Sequence, residues 1–211
     1  MIQNASFELD WSVSESHTAL VIESDGIHRQ QIGNIFTPSH WLTWYDHRGN
    51  YAQPEVRDSW ERVRRGEKGM LLFTFGRKHC GGFLQTVEVE AGATLRFSAF
   101  AHAWSNHKAS SDQDPADFPH PDDPEWSEGA GYDCVRWLKQ DIPALNGNAQ
   151  NDAKGNFAFA LGIDPTGGED PTSDAIVWGD PAWIYNCYDA VPAVEAEAQS
   201  DTVTVYLRSQ T

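Results

Sequence analysis

The stretch Gly81–Trp104, GGFLQTVEVEAGATLRFSAFAHAW, constrains the fold of this chain more than any other feature. Its apolar residues recur at every second position, and a period of two requires an extended backbone with side chains leaving on opposite faces. In the first half Phe83, Gln85, Val87 and Val89 share one face, and Leu84, Thr86 and Glu88 share the other. In the second half Leu95, Phe97, Ala99 and Ala101 form an apolar face, opposite Arg96, Ser98, Phe100, His102 and Trp104. Glu90-Ala91-Gly92 reads as a tight turn between them, so the two halves are expected to pair as a hairpin. One face enters a core. The other mixes aromatics with hydrogen-bonding groups.

Similar patterns recur along the chain. Residues 1–8 read as a short first strand anchored by Ile2 and Phe7, and His17–Gly26 as a strand ending in a turn. Ile35–Tyr45, aromatic and interrupted by Pro38, is expected at a sheet edge or in a loop. Pro54–Gly66 suits either a helical turn or an extended segment. Met70–Phe75 is a near-continuous apolar strand. In Asn156–Ile163, Phe157, Phe159, Leu161 and Ile163 share one face, while Ala158, Ala160 and Gly162 leave room for a groove on the other. AIVWG and AWIYNCYD read as short aromatic segments. VPAVEAEAQ and DTVTVYLRS read as a last hairpin, with Val203, Val205 and Leu207 inward and Thr202, Thr204, Tyr206 and Arg208 outward. Roughly nine to eleven strands and no long helix indicate an all-β sandwich. The 211 residues fit one domain, 1–211, with an acidic, Pro-rich loop insertion at about 106–133.

Charge and cysteine content narrow the partners. A formal net charge of -16 opposes binding to nucleic acid, which needs a basic surface. It fits an extracellular or surface-exposed protein. No apolar run is long enough to span a bilayer, so no membrane insertion is expected. The opening MIQNASFELDW lacks the basic start and apolar middle of a signal peptide. The expectation is a piece cut from a longer precursor, or a chain exported without a leader, as a virion protein is. Cys80, Cys134 and Cys187 match no zinc spacing, and they allow either one bridge and a thiol or three free thiols.

Several segments together resemble jelly-roll carbohydrate-binding modules with a galactose-binding-domain-like fold, of the kind appended to bacterial secreted proteins. NASFE (Asn4–Glu8) is similar to their N-x-x-F-E opening, WLTW (Trp41–Trp44) to their W-x-x-W segment, and GFLQTVEVEAGATLRFSA to their central strands. LGIDPTGGEDP, IVWG and TVTVYLRS look like their later pieces. The resemblance implies a structural calcium held in part by Glu8. Such domains finish on one more strand with an Asp-Asp pair, whereas this sequence stops at Thr211.

Sugar recognition needs flat apolar rings for the C–H face of a pyranose and fixed polar groups for its hydroxyls. Platform candidates are Trp44, Trp104, Trp126, Trp178, Trp183 and Tyr185; Arg96, His102 and Asn106 are candidates for the polar rim. Trp41, Trp60 and Trp137 read as core. Calcium takes six to eight oxygens from flexible turns. Asp164 and Asp170 around the Gly167-Gly168 pair, and the 112–123 loop, offer such oxygens. For catalysis, His102, Arg96 and Tyr206 could be cast as a lyase set, but no ordered motif supports them.

The expected function is therefore non-catalytic binding of a polysaccharide or cell-surface glycan. One alternative is a structural surface protein, such as a virion decoration or fibre subunit, assembling as a homo-oligomer through an unpaired edge strand. The other is a polysaccharide lyase or glycoside hydrolase.

Overall fold

The computed structural model describes residues 1–9, 11–13, 18–31, 36–46, 53–58, 63, 66–73, 80–101, 158–180, 182–183 and 191–210. The expected acidic insertion, with Asn106 and Trp126, lies outside them, as do Trp60, His102, Trp104, Cys134, Trp137, Tyr185 and Cys187. Among the described residues there is no helix, and the strands in chain order are β1 (Trp11–Val13), β2 (Thr18–Glu23), β3 (Gly26–Gln31), β4 (Phe36–Pro38), β5 (Leu42–Asp46), β6 (Gln53–Arg57), β7 (Gly69–Phe73), β8 (Cys80–Glu88), β9 (Thr94–Ser98), β10 (Ala158–Asp164), β11 (Val177–Trp178), β12 (Ala182–Trp183), β13 (Ala193–Glu197) and β14 (Thr202–Gln210). The described part of the chain is all-β.

Its frame is an eight-stranded mixed sheet in the order β11-β10-β14-β8-β5-β2-β3, with β12 also paired to β10. Only β2 and β5 run parallel; the other pairs are antiparallel. Three two-stranded pieces, β9–β13, β6–β7 and β1–β4, complete the described architecture. The main core lies where Phe83, Leu161, Ile163, Val203, Val205 and Leu207 of the large sheet meet Phe97 and Val194 of β9–β13. Ile2, Phe7, Met70 and Leu72 pack against the same core. The arrangement is sandwich-like, and the inward faces of β8, β9, β10 and β14 are those the alternation predicts.

Both expected hairpins turn out to be corners between layers. β8 pairs with β5 and β14, whereas β9 pairs with β13. The Glu90–Gly92 turn therefore carries the chain from the large sheet to the small one, and the 198–201 turn carries it back. The two corners are stitched together: Val89 donates its N–H to the Asp201 carbonyl (3.0 Å), Gly92 to Ala198 (2.8 Å), and Ala198 to Ala93 (2.9 Å). Gly92 sits at a φ of 82°, a left-handed conformation that costs a residue without Cβ little. A corner and a hairpin produce the same alternation, because in both cases the apolar faces of the two strands meet the same core.

Two further expectations change. Residues 1–8 form turns instead of a strand, although Ile2 and Phe7 do anchor them. Asn4 and Phe7 take left-handed backbone angles (φ 48° and 62°), and the Phe7 and Trp41 rings meet at 5.5 Å. Gln85, buried on the inner face, holds this segment: its side-chain oxygen accepts the Gln3 N–H (2.7 Å), and its amide nitrogen donates to the carbonyls of Gln3 and His40. In the 36–46 region β4, ending at Pro38, lies in a two-stranded piece as an edge strand would, but β5 lies inside the large sheet between β8 and β2.

Candidate functional site

The outer face of the large sheet is also covered. One row of paired residues crosses six strands: Ala160, Arg208, Gly82, Trp44, Leu20 and Arg29. The next row contains Trp178, Gly162, Tyr206, Leu84 and Leu42. Leu20, Ile22, Trp44, Leu84, Ile176 and Tyr206 form a second buried cluster on this face. The expected groove over Ala160 and Gly162 is filled. A side chain begun at Gly162 would lie 2.8 Å from Ile176 Cγ2 and 2.9 Å from Trp178 Cε3.

Among the described residues, the irregular segment 165–176 packs against this face through Ile176, and its Asp, Gly, Pro and Thr residues suit tight turns. Asp164 Oδ1 accepts the N–H and hydroxyl of Thr166 (2.8 and 2.7 Å), and Asp170 Oδ1 does the same for Thr172 (2.7 and 2.6 Å). The segment is fastened from below by Tyr206, whose hydroxyl donates to the Gly168 carbonyl at 2.6 Å. Burial, then the negative charges of Asp164, Asp170 and Glu169, push the Tyr206 hydroxyl well above the ordinary phenol range. It therefore remains a protonated donor throughout the physiological range. Arg29 of β3 reaches Glu169 at 2.6 Å.

Trp178 closes the border of this face. It is partly buried, its ring lies 5.9 Å from that of Tyr206, and the Arg208 guanidinium sits 4.3 Å from its centroid. An indole with a cation stacked on it is held in place and carries hydrogen-bond donors beside an apolar ring.

The sequence-predicted ring and rim residues do not all converge here. Trp44 is only 2% exposed, and its indole N–H donates to the Leu207 carbonyl at 3.2 Å, so its ring is part of the core and not a platform. Gly82 admits this crossing, since any side chain there would collide with the Leu207 carbonyl. Arg96 is exposed on β9 and pairs with Glu195 of β13 at 3.4 Å, on the opposite side of the sandwich from Trp178. Tyr206 is fully buried and separated from Arg96 by the main core. Trp183 pairs with Ala158 as Trp178 pairs with Gly162, so β10 receives both from one edge.

The three proposed calcium ligands lie apart. Glu8 accepts the backbone N–H groups of Glu67 (3.0 Å) and Lys68 (3.1 Å), and the Lys68 ammonium donates to its carbonyl. These bonds tie the N-terminal turns to residues 67–68 through the Glu8 carboxylate. Asp164 and Asp170 each organise a local turn. Among the described residues, the group with metal-ligand geometry is Glu23, Asp25 and His28, whose donor atoms all lie within 4.8 Å of one another. His28 Nε2 and Asp25 Oδ1 are 2.9 Å apart, and this hydrogen bond holds His28 above the ordinary imidazole range and Asp25 below the carboxylate range. Sequence reading missed the group, although a Ser24-Asp25-Gly26 turn flanked by Glu23 and His28 was visible. No helix among the described residues is long and apolar enough to cross a membrane. The chain matches no protein-family model and no curated protein.

Proposed function

We propose that this chain is a jelly-roll, galactose-binding-like module that binds a polysaccharide or surface glycan without chemistry of its own. The observation that carries the reading is the Trp178–Arg208 stack at the border of the outer face. Its partly exposed indole offers apolar surface to a pyranose, and the guanidinium offers donors to the neighbouring hydroxyls. Burial of Tyr206 beneath it and the Gly162 backbone beside it fix the ring before a ligand arrives, which lowers the entropic cost of binding. The site operates at the cell or virion surface, where such glycans are found.

A glycan array and a polysaccharide affinity gel run on the full chain test this directly. Retardation by at least one polysaccharide is expected, with a tenfold or greater loss in Trp178→Ala. Unchanged retardation in that variant would move the ligand away from Trp178, and absence of glycan binding altogether would remove the reading. The assembly alternative draws on a separate observation: among the described residues β3 pairs with β2 alone, leaving a polar strand at the sheet margin. Concentration-dependent self-association in sedimentation, without glycan binding, would favour it.

A further inference from the structure

We infer that Glu23, Asp25 and His28, gathered by the β2–β3 turn, form a binding site for a divalent transition-metal ion of the zinc class. The argument begins with register. Val21 pairs with His28 and Glu23 with Gly26, leaving the two-residue turn Ser24–Asp25 between them. Glu23 and His28 therefore project from the same face of the hairpin as diagonal neighbours, close enough for long side chains to meet. Asp25, in the turn itself, brings its carboxylate to 2.9 Å from His28 Nε2. One donor atom from each residue falls within 4.8 Å of the other two.

Those separations suit a small cation. Zinc–nitrogen and zinc–oxygen bonds of ~2.0–2.2 Å place tetrahedral donors ~3.3 Å apart, so rotamer adjustment alone closes the group. Three protein ligands leave a fourth position for water. The space for it exists: Gly26, opposite Glu23, has nothing within 4 Å of where a side chain would start. Its φ of 137° belongs to a conformation that residues with a Cβ rarely adopt, so the turn keeps that side open. Gln30 donates to Glu23 Oε1 at 2.7 Å and orients the carboxylate from outside the triad, as outer partners of metal ligands do.

The donor set selects the ion. One imidazole nitrogen and two carboxylates suit zinc, nickel, copper or cobalt, whereas calcium seeks six to eight oxygens, which this hairpin does not gather. The net charge of -16 raises the local concentration of any cation. The site is independent of the glycan reading, because β3 and Trp178 stand at opposite margins of the large sheet.

The test uses the full chain after EDTA treatment and buffer exchange. Zinc chloride is titrated by calorimetry and followed on the histidine imidazole resonances, with calcium chloride as a parallel titration. Zinc is expected to shift the His28 resonance, identified through its cross-strand pairing with Val21, and calcium to leave it in place. His28→Gln is expected to abolish one zinc equivalent, and Glu23→Gln and Asp25→Asn to weaken it at least tenfold. Zinc binding that persists unchanged in His28→Gln, or that leaves the His28 resonance unmoved in the wild type, overturns the assignment, as does no zinc binding. The wild-type resonance decides the matter even if a variant fails to fold.

Discussion

The two faces of the large sheet are covered by different means. The inner face meets another layer of strands, and the contact is almost wholly apolar: Phe83, Leu161, Val205 and Leu207 against Phe97 and Val194. Among the described residues the outer face meets a run of turns, 165–176, which contributes one large apolar side chain, Ile176, and is otherwise pinned by polar links. The inner contact is a matter of area and fit, which act over many atoms at once. The outer contact depends on a few identifiable fastenings. Stability should therefore fall steeply with inner-face truncation and in small steps with outer-face changes, and ligand binding should follow only the latter.

The largest step is expected from Phe83→Ala. This ring is fully buried at the centre of the inner face, and truncations of that kind cost about 3–5 kcal/mol. Urea unfolding should show the midpoint moving far down with the slope retained. A loss below 1 kcal/mol would mean that the small layer does not seal the core. Gly162→Val comes next and strikes the other face. Ile176 and Trp178 must both give way, and overpacking costs about 1–3 kcal/mol. Because Trp178 is displaced, glycan retardation should weaken more than Phe83→Ala weakens it in material that remains folded. The reverse order would break the division of labour between the faces.

The sequence made the inner face far easier to read than the outer one. Phe83, Val87, Leu95, Phe97, Leu161, Ile163, Val203 and Leu207 all point where a period of two places them, because a strand facing one core has no other regular solution. The same period places Gln85 inward, and its bonds to the Gln3 and His40 backbone explain how a polar group is tolerated there. Strand partners were not legible. Nothing local distinguishes the Glu90–Gly92 corner from a hairpin turn, although the outward residues held a clue. Leu84 on β8 is apolar and Arg96 on β9 is charged, as befits one strand covered on both faces and one facing water. The outer cover escaped for a different reason. DPTGGEDP has the composition of a surface loop, and tertiary links at Tyr206 and Arg29 fasten it to the large sheet. The sequence alone therefore leaves Trp44 looking like a platform ring, while its indole is engaged by a backbone carbonyl.

Tyr206→Phe isolates the strongest of these fastenings. The ring stays, the hydroxyl goes, and the Gly168 carbonyl loses a 2.6 Å donor. A net hydrogen bond of this kind contributes about 0.5–1.5 kcal/mol. Hydrogen exchange should quicken at the amides of 166–176 while those of β8 and β14 stay protected, since the inner core is untouched. Uniform acceleration through the sheet would show that the cover and the sheet open as one unit.

Arg29→Ala should give the smallest effect, and it asks the most of the comparison. Its guanidinium and the Glu169 carboxylate are 2.6 Å apart, yet both side chains are about half exposed, at 58% and 44%. Water and salt screen such a pair, and exposed pairs contribute at most about 1 kcal/mol, often nothing measurable. The expected loss is under about 0.5 kcal/mol in dilute buffer, and it should vanish in 1 M salt, where charges are screened within about 3 Å. A double-mutant cycle with Glu169→Ala measures the coupling itself. A coupling that survives high salt would mean the pair is shielded once the segment is seated. The lid would then be fastened as firmly at the β3 margin as at Tyr206, and the outer face would no longer depend on one buried hydroxyl.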